Sequence, residues 1–499
     1  MEKKCLILLL LWTCISSEYS VAKVREYEKF SRSFMYTRPA YDHRSMVYSL
    51  WHDIVYKTHT RQLSGFQIIP FVNRSIKMEK TARYFLPNGK NTVHISGDSV
   101  IDKLCTRDIR AEWIGLPSNF SGAFTIEPDQ QQSGCSFFYH QHLFPFFENT
   151  FLENWYVTVH VPFQAVRNDL NFVEFDVTNP GTNPRDIIEA FNQQDWHFGK
   201  LSPESKSRHS LGDAIVTVGS AILHEYFQLS YDTILSLPLG SKQDPEFLFD
   251  PVVGTNKHFG LGASLGFQFL LNDCPERFAF CFFLDLQSVL LFKNEQRRTF
   301  DLINKPWSRF LPMNKNCPGD ENQNIPGVNL LTYKVEVRPY NIVDFSTGWR
   351  IKNGPFELEI GYNIWGHGDE KVELENFIPN SFGIAGTQPQ ATASTSTIGQ
   401  QISRLDQLPI DTNGNPIIVQ NDVDVNGQDV FVPITKYDID LRSGRSASAI
   451  NHKVHMSFGV IKQGRCIDGI IGTGWFVDLP QKNSSLRTWG AWLKLGAVF

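Results

Sequence analysis

The stretch SSLRTWGAWLKLGAVF, residues 484–499, has a period that decides the fold. Trp489, Ala491, Leu493, Leu495, Ala497 and Phe499 occupy every second position, and Thr488, Gly490, Trp492, Lys494, Gly496 and Val498 lie between them. Successive side chains of an extended chain point to opposite faces, so this is a strand with one apolar face. The other face carries a lysine and glycines, which do not build an ordinary core. An edge strand of a soluble sandwich and a lipid-facing strand both fit. Repetition of the pattern along the chain separates the two.

At 499 residues the chain has room for several average domains or for one large barrel. Lys and Arg number 47 against 52 Asp and Glu, so no strong positive field is available and nucleic acid is not expected as a partner. Aromatic residues make up 13 %, which excludes wholesale disorder. Residues 1–22 read as a secretory signal peptide: Lys3 and Lys4, an apolar run from Cys5 to Trp12, then small and polar residues. That run is too short to cross a bilayer as a helix, and no longer apolar run follows. An exported chain of this kind either stays soluble or crosses a membrane as a closed β-barrel. Beyond residue 22 stand Cys105, Cys135, Cys274, Cys281, Cys317 and Cys466, without CxxC or zinc spacing. Their compartment permits disulfides, but the spacing specifies none.

The pattern does repeat. In HFGLGASLGFQF, residues 258–269, Phe259, Leu261, Ala263, Leu265, Phe267 and Phe269 oppose a face of glycine, serine, histidine and glutamine. FAFCFFLDLQSVLLF (278–292), WYVTVHVPF (155–163), LSYDTILSLPL (229–239), YKVEVRP (333–339), FELEIGYNI (356–364) and INHKVHMSFGV (450–460) alternate in the same way. Such segments have the spanning length of a tilted strand, and aromatics recur at their ends. KNGP (352–355) and KQGR (462–465) are tight turns, whereas a long surface loop runs over about 366–446. The expected fold is all-β: one closed antiparallel transmembrane barrel over residues 63–499, of about 14 strands within a range of 12 to 16. Residues 23–62 form a lead segment. Within it Met46, Val47, Leu50, Trp51 and Ile54 stand at helical spacing behind Asp42 as an N-cap. This helix either plugs the barrel mouth or packs outside it.

The face opposite the lipid supplies the candidate lumen. Asp285, Lys334, Glu336, Arg338, Glu357, Glu359, Lys453, His455 and Lys494 give it mixed charge, with no uniform ring to select anions or cations. Phe283, Trp365 and Trp492 also point inward; a lumen packed shut by them favours a structural role over transport. Enzymatic motifs are incomplete. SGDSV (96–100) lacks partner blocks for a hydrolase, LHEYF (223–227) lacks the second histidine of a zinc protease, and GHGDE (366–370) is a solvated loop mouth. In DVDVNGQD (422–429), Asp422, Asp424 and Asn426 match the start of a calcium loop, but Pro433 stands where a bidentate glutamate is needed. The same residues read as a hairpin turning on Asn-Gly. Calcium is therefore the single cofactor with any support, and the chain is not expected to be an enzyme.

Two resemblances follow from these residues. The terminal strand, with Trp489, Leu493, Leu495 and Phe499 on one face, resembles the assembly signal of bacterial outer-membrane barrels. It implies the outer membrane of a Gram-negative-type bacterium, with outer-membrane lipid and the barrel-assembly machinery as partners. LGDAIVTVGSAI (211–222), LSLPLG (235–240) and FDPVVGTNKHFGLGASL (249–265) resemble outer-membrane proteins of phenol-degradation pathways, which are grouped with the fatty-acid and toluene transporter barrels. Where those transporters carry Asn-Pro-Ala near the N-terminus, this chain has Arg38, Pro39 and Ala40. The resemblance implies a plugged barrel and passive passage of a small solute, hydrophobic ones included. The alternatives are a non-transporting structural or adhesive surface barrel and, behind it, a barrel-borne hydrolase.

Overall fold

A computed structural model describes residues 38–39, 44–51, 64–143, 154–271, 278–315, 325–384 and 434–499, apart from 105, 225, 340, 380 and 465–466. Twelve strands form the ring: β1 (Ser64–Ser75), β2 (Asp129–His142), β3 (Trp155–Asp169), β4 (Ala214–Leu223), β5 (Phe227–Leu237), β6 (Gly260–Leu270), β7 (Phe278–Leu291), β8 (Asn341–Asn353), β9 (Phe356–His367), β10 (Ala449–Lys462), β11 (Asp468–Pro480) and β12 (Thr488–Val498). Each pairs antiparallel with its sequence neighbour, and β12 returns to β1. Phe66 faces Ala497, Ile68 faces Leu495 and Phe71 faces Trp492 across this seam. The Ser64 and Phe499 backbones complete it by exchanging both hydrogen bonds, 2.9 and 2.8 Å. No edge is left, which is the condition for a sheet to lie in lipid.

The count of about fourteen becomes twelve because period-two segments also occur beyond the ring. Residues 332–338 pair with 294–299 and 371–374 in a separate three-stranded sheet. Residues 206–211 pair with the upper half of β3 alone, while β4 takes its lower half.

Side chains alternate as the sequence pattern requires. On β6, Leu261 and Leu265 are exposed while Gly260, Ser264, Gly266 and Gln268 are buried. On β11, Ile471, Trp475, Val477 and Leu479 point out, and on β12 Trp489, Leu493 and Leu495 do so. Exposed apolar residues on strand after strand make a belt too extensive to face water, so the ring spans a membrane.

Five connections (143–154, 224–226, 271–277, 354–355 and 463–467) lie at one end, with Ser64 and Phe499. At the other end lie 76–128, 170–213, 238–259, 292–340, 368–448 and 481–487. The described parts of these longer loops fold into a head. It contains a four-stranded sheet (92–96, 109–110, 121–125 and 173–178) and the three-stranded sheet above. Its core includes Phe120, Phe124, Phe191, Trp196, Phe300 and Phe310, all buried, with the Trp196 and Phe310 rings stacked 5.5 Å apart. The largest apolar cluster thus sits in the loops, because the barrel's own apolar faces are committed to lipid.

Leu265 lies at the middle of β6 on the outward face. Leu265→Arg is expected to destabilise the barrel by about 2–4 kcal/mol, the cost of a charge at the bilayer midplane. Reversible urea unfolding in lipid vesicles, compared with Ser264→Ala on the inward face, measures it.

Candidate functional site: the lumen and the segment inside it

Helix α1 (Arg44–Tyr48) and the residues following it lie inside the barrel. Met46, Val47, Tyr48, Leu50 and Trp51 are buried there among Ile69, Phe71, Phe138 and Trp492. Phe138 on β2 meets Tyr48 and Trp51 edge-on, with ring centroids 5.8 and 5.9 Å apart. Glycines on the wall make the room. The Trp51 ring passes 2.6 Å from where a Cβ on Gly65 would stand, and the Leu50 side chain occupies the equivalent space at Gly459 and Gly472. A side chain at any of these positions would displace the segment.

Polar contacts then fix it. A helix end leaves carbonyls without partners, and water cannot serve them in a filled lumen. Lys494 on β12 donates to the carbonyls of Val47, at 2.9 Å, and Ser49. Gln67 donates to the same Val47 carbonyl at 2.8 Å. The Leu50 amide donates to a Glu357 carboxylate oxygen at 3.0 Å. Further toward the head, Arg38 is held in a second cluster. Its guanidinium donates to Asp344 at 2.6 Å, to Asn363 at 3.0 Å and to Asp478 at 3.4 Å, and it stands 5.3 Å over the Trp365 ring. Gln132 donates to the Arg38 carbonyl at 3.3 Å.

The wall carries its own ion network. Arg350 on β8 bridges Glu357 at 3.0 Å and Glu359 at 2.7 Å, and also donates to Gln268 at 3.0 Å. His455 lies 3.2 Å from Glu359. Lys453 is 3.8 Å from Asp478 and sits over the Phe476 ring. On the opposite wall, Asp232 accepts from Tyr156 at 2.5 Å and from Ser264 at 2.6 Å. Buried charges meet opposite charges on β8 to β11 and hydroxyl donors at Asp232, which is how a low-dielectric interior tolerates them.

Above the lumen, at the head, Arg298 is fully buried against Glu370 at 3.4 Å and takes Gln296 as a further partner. Burial pushes the Arg298 guanidinium down from its ordinary value despite the Glu370 charge. Burial likewise lowers His258, whose ring accepts from Gln296 at 2.8 Å, so it stays neutral as an acceptor. A cavity of about 20 Å³ beside His258, Glu370 and His367 has room for roughly one water.

Asp285, Glu357, Glu359, Lys453, His455 and Lys494 therefore lie buried on lumen-facing positions. Lys334, Glu336 and Arg338 do not line the lumen. They sit on the head's three-stranded sheet, where Lys334 pairs with Glu295, and Glu336 pairs with Lys293 at 2.6 Å and Arg338 at 3.8 Å. The apolar alternates of that strand, Val335 and Val337, face the head's core rather than lipid, and alternation cannot tell those two environments apart. Phe283, Trp365 and Trp492 are buried within the ring. Trp489, Leu493, Leu495 and Phe499 are exposed on the lipid side. Asp422, Asp424 and Asn426 lie outside the described residues, as do residues 1–22, Asp42, Ile54 and the cysteines other than Cys135 and Cys281. Among the described residues no group of three or more His, Cys, Asp or Glu is placed to hold a metal.

The residues that sequence reasoning missed are Arg38, Asp344, Asp478 and Arg350, whereas Asn363 fell on the polar face of FELEIGYNI with Glu357 and Glu359. NIVDFSTGWRIKN on β8 alternates, so Asp344 and Arg350 were detectable as inward positions. Arg38 carried no periodic signal.

No family model matches the sequence, and no curated protein matches it. Solved structures of similar form include an outer membrane channel from Pseudomonas putida F1, 8 % identical, covering 89 % of this chain and 98 % of that one, TM-score 0.39. Others are the Pseudomonas putida toluene transporter TodX, at 7 %, 95 % and 98 %, TM-score 0.31, and a Pseudomonas aeruginosa FadL homologue, at 7 %, 89 % and 91 %, TM-score 0.27. Likenesses this distant say nothing of what enters the lumen here.

Lys494→Met keeps the stem of the side chain but takes the charged donor from the Ser49 carbonyl and leaves the Val47 carbonyl with Gln67 alone among its side-chain donors. We expect the inner segment to loosen by about 1–3 kcal/mol. Hydrogen–deuterium exchange should rise at residues 44–51 with the barrel strands unchanged.

Proposed function

We propose that the chain is a channel of a Gram-negative-type outer membrane, held closed by its own residues 38–39 and 44–51, for passive passage of a small solute. One observation carries this reading. The lumen is filled by a separate stretch of chain gripped through hydrogen bonds and ion pairs, with wall glycines shaped to receive it. A barrel with a purely structural role can close its lumen with wall side chains alone, as Phe283 and Trp492 partly do. A stretch held by polar contacts can leave and return. The wall it would expose is polar and charged, with Glu357, Glu359, Asp344, Asp478 and Lys494 on it, and this favours a solute with polar groups over a plain hydrocarbon. Outer-membrane lipid around the belt and the assembly machinery acting on the Phe499 strand belong to the same proposal.

The folded head supports the second reading, an adhesive surface barrel, because its buried core gives a stable platform at the mouth.

Planar-bilayer recording separates them. The intact protein is expected to be mostly closed, and deletion of residues 38–51 is expected to raise open probability at least tenfold. A deletion variant that still shows the heat-modifiable mobility of a folded barrel but never conducts would overturn the channel and leave the adhesive barrel.

A further inference from the structure

We infer that Asp344, Asn363, Asp478 and Trp365 form a binding slot for an organic cation with a guanidinium-type head, and that Arg38 occupies this slot as a tethered stand-in for such a solute.

The four groups come from three different strands, β8, β9 and β11, and all are at least nine-tenths buried. They converge on one guanidinium. Two carboxylates and an amide oxygen take its N–H groups, and an indole lies against it at 5.3 Å. Carboxylates match the planar fork of a guanidinium, and an aromatic face attracts a cation, most strongly when both are desolvated. The slot is itself held in shape: Asn363 donates to Asp344 at 2.5 Å and to Ser346 at 2.8 Å. Arg38 is not part of the wall. It belongs to the segment whose departure opens the lumen.

Charge makes the slot selective once Arg38 leaves. Asp344 and Asp478 then retain Lys453 as the neighbouring cation, 3.8 Å from Asp478. Asp344 has lost the 2.6 Å contact to Arg38. A buried carboxylate stripped of its partner is costly, so the exposed slot draws a replacement cation. A solute bearing a guanidinium supplies the same donors and the same face, and it competes with Arg38. Binding of that solute and withdrawal of the segment are then the same event seen from two sides. That the slot lies on a solute path rests on the channel proposal; its affinity for the cation does not.

The test is calorimetry on detergent-folded barrels with methylguanidinium as the probe, and urea and tetramethylammonium as controls. Arg38→Ala vacates the slot and should bind methylguanidinium at least tenfold more tightly than the intact chain, with no response to urea. Adding Asp344→Asn to Arg38→Ala should remove at least tenfold of that affinity. The second readout is chemical rescue: Arg38→Ala should lose heat resistance in SDS, and millimolar methylguanidinium should restore it where tetramethylammonium does not. Absence of saturable binding to a folded Arg38→Ala barrel overturns the slot, as does binding that Asp344→Asn leaves untouched. Neither result bears on conductance, which judges the channel separately.

Discussion

The ring on which the rest of this structure is built depends on one constraint: backbone N–H and C=O groups in a bilayer have no water to bond. The ladder between β1 and β12 is the answer, down to the paired backbone groups of Ser64 and Phe499. Once the ring closes, its strands have an outside and an inside with no exchange between them. Leu261, Leu265, Leu493 and Leu495 go to lipid, and whatever alternates with them goes to the lumen. The charged interior is therefore a consequence of closure before it is a feature of function.

Closure in turn creates the problem that the inner segment solves. Buried Glu357, Glu359, Asp344, Asp478, Arg350 and Lys494 need partners in a space with little water. Some find them on the wall, as Arg350 does with both glutamates. Others find them on the chain's own residues 38–39 and 44–51: Lys494 on the Val47 and Ser49 carbonyls, Asp344 on Arg38. The same contacts that satisfy the wall hold the segment. Breaking them leaves buried charges unpaired, so the contacts that satisfy the wall also stabilise the filled lumen. The head stands on a different principle, an ordinary apolar core of stacked aromatics above the rim.

Alternation made the strands legible, because the period of two survives any tertiary context. It located β6, β7, β9, β10 and β12, on which Asp285, Glu357, Glu359, Lys453, His455 and Lys494 are each buried next to an exposed apolar neighbour. It failed at 332–338, where Val335 and Val337 have a protein core to face instead of lipid. That segment drops out of the ring, whose twelve strands lie at the lower end of the expected 12 to 16. It also could not see Arg38, which lies in no periodic element.

The sequence by itself determined that the chain is a ladder of two-faced strands, with an apolar face that needs lipid and a polar face that needs an interior. It marked Met46, Val47, Leu50 and Trp51 as apolar positions needing burial, but the helix it expected there ends at Tyr48, and Leu50 takes a left-handed backbone. Only the tertiary structure decided where these side chains go: into the groove opened by Gly65, Gly459, Gly472 and Gly496. The physical reason is one of range. Strand polarity is set by neighbours two residues apart, whereas the grip on Arg38 joins residues more than three hundred positions away, whose meeting is fixed by the order in which the ring closes.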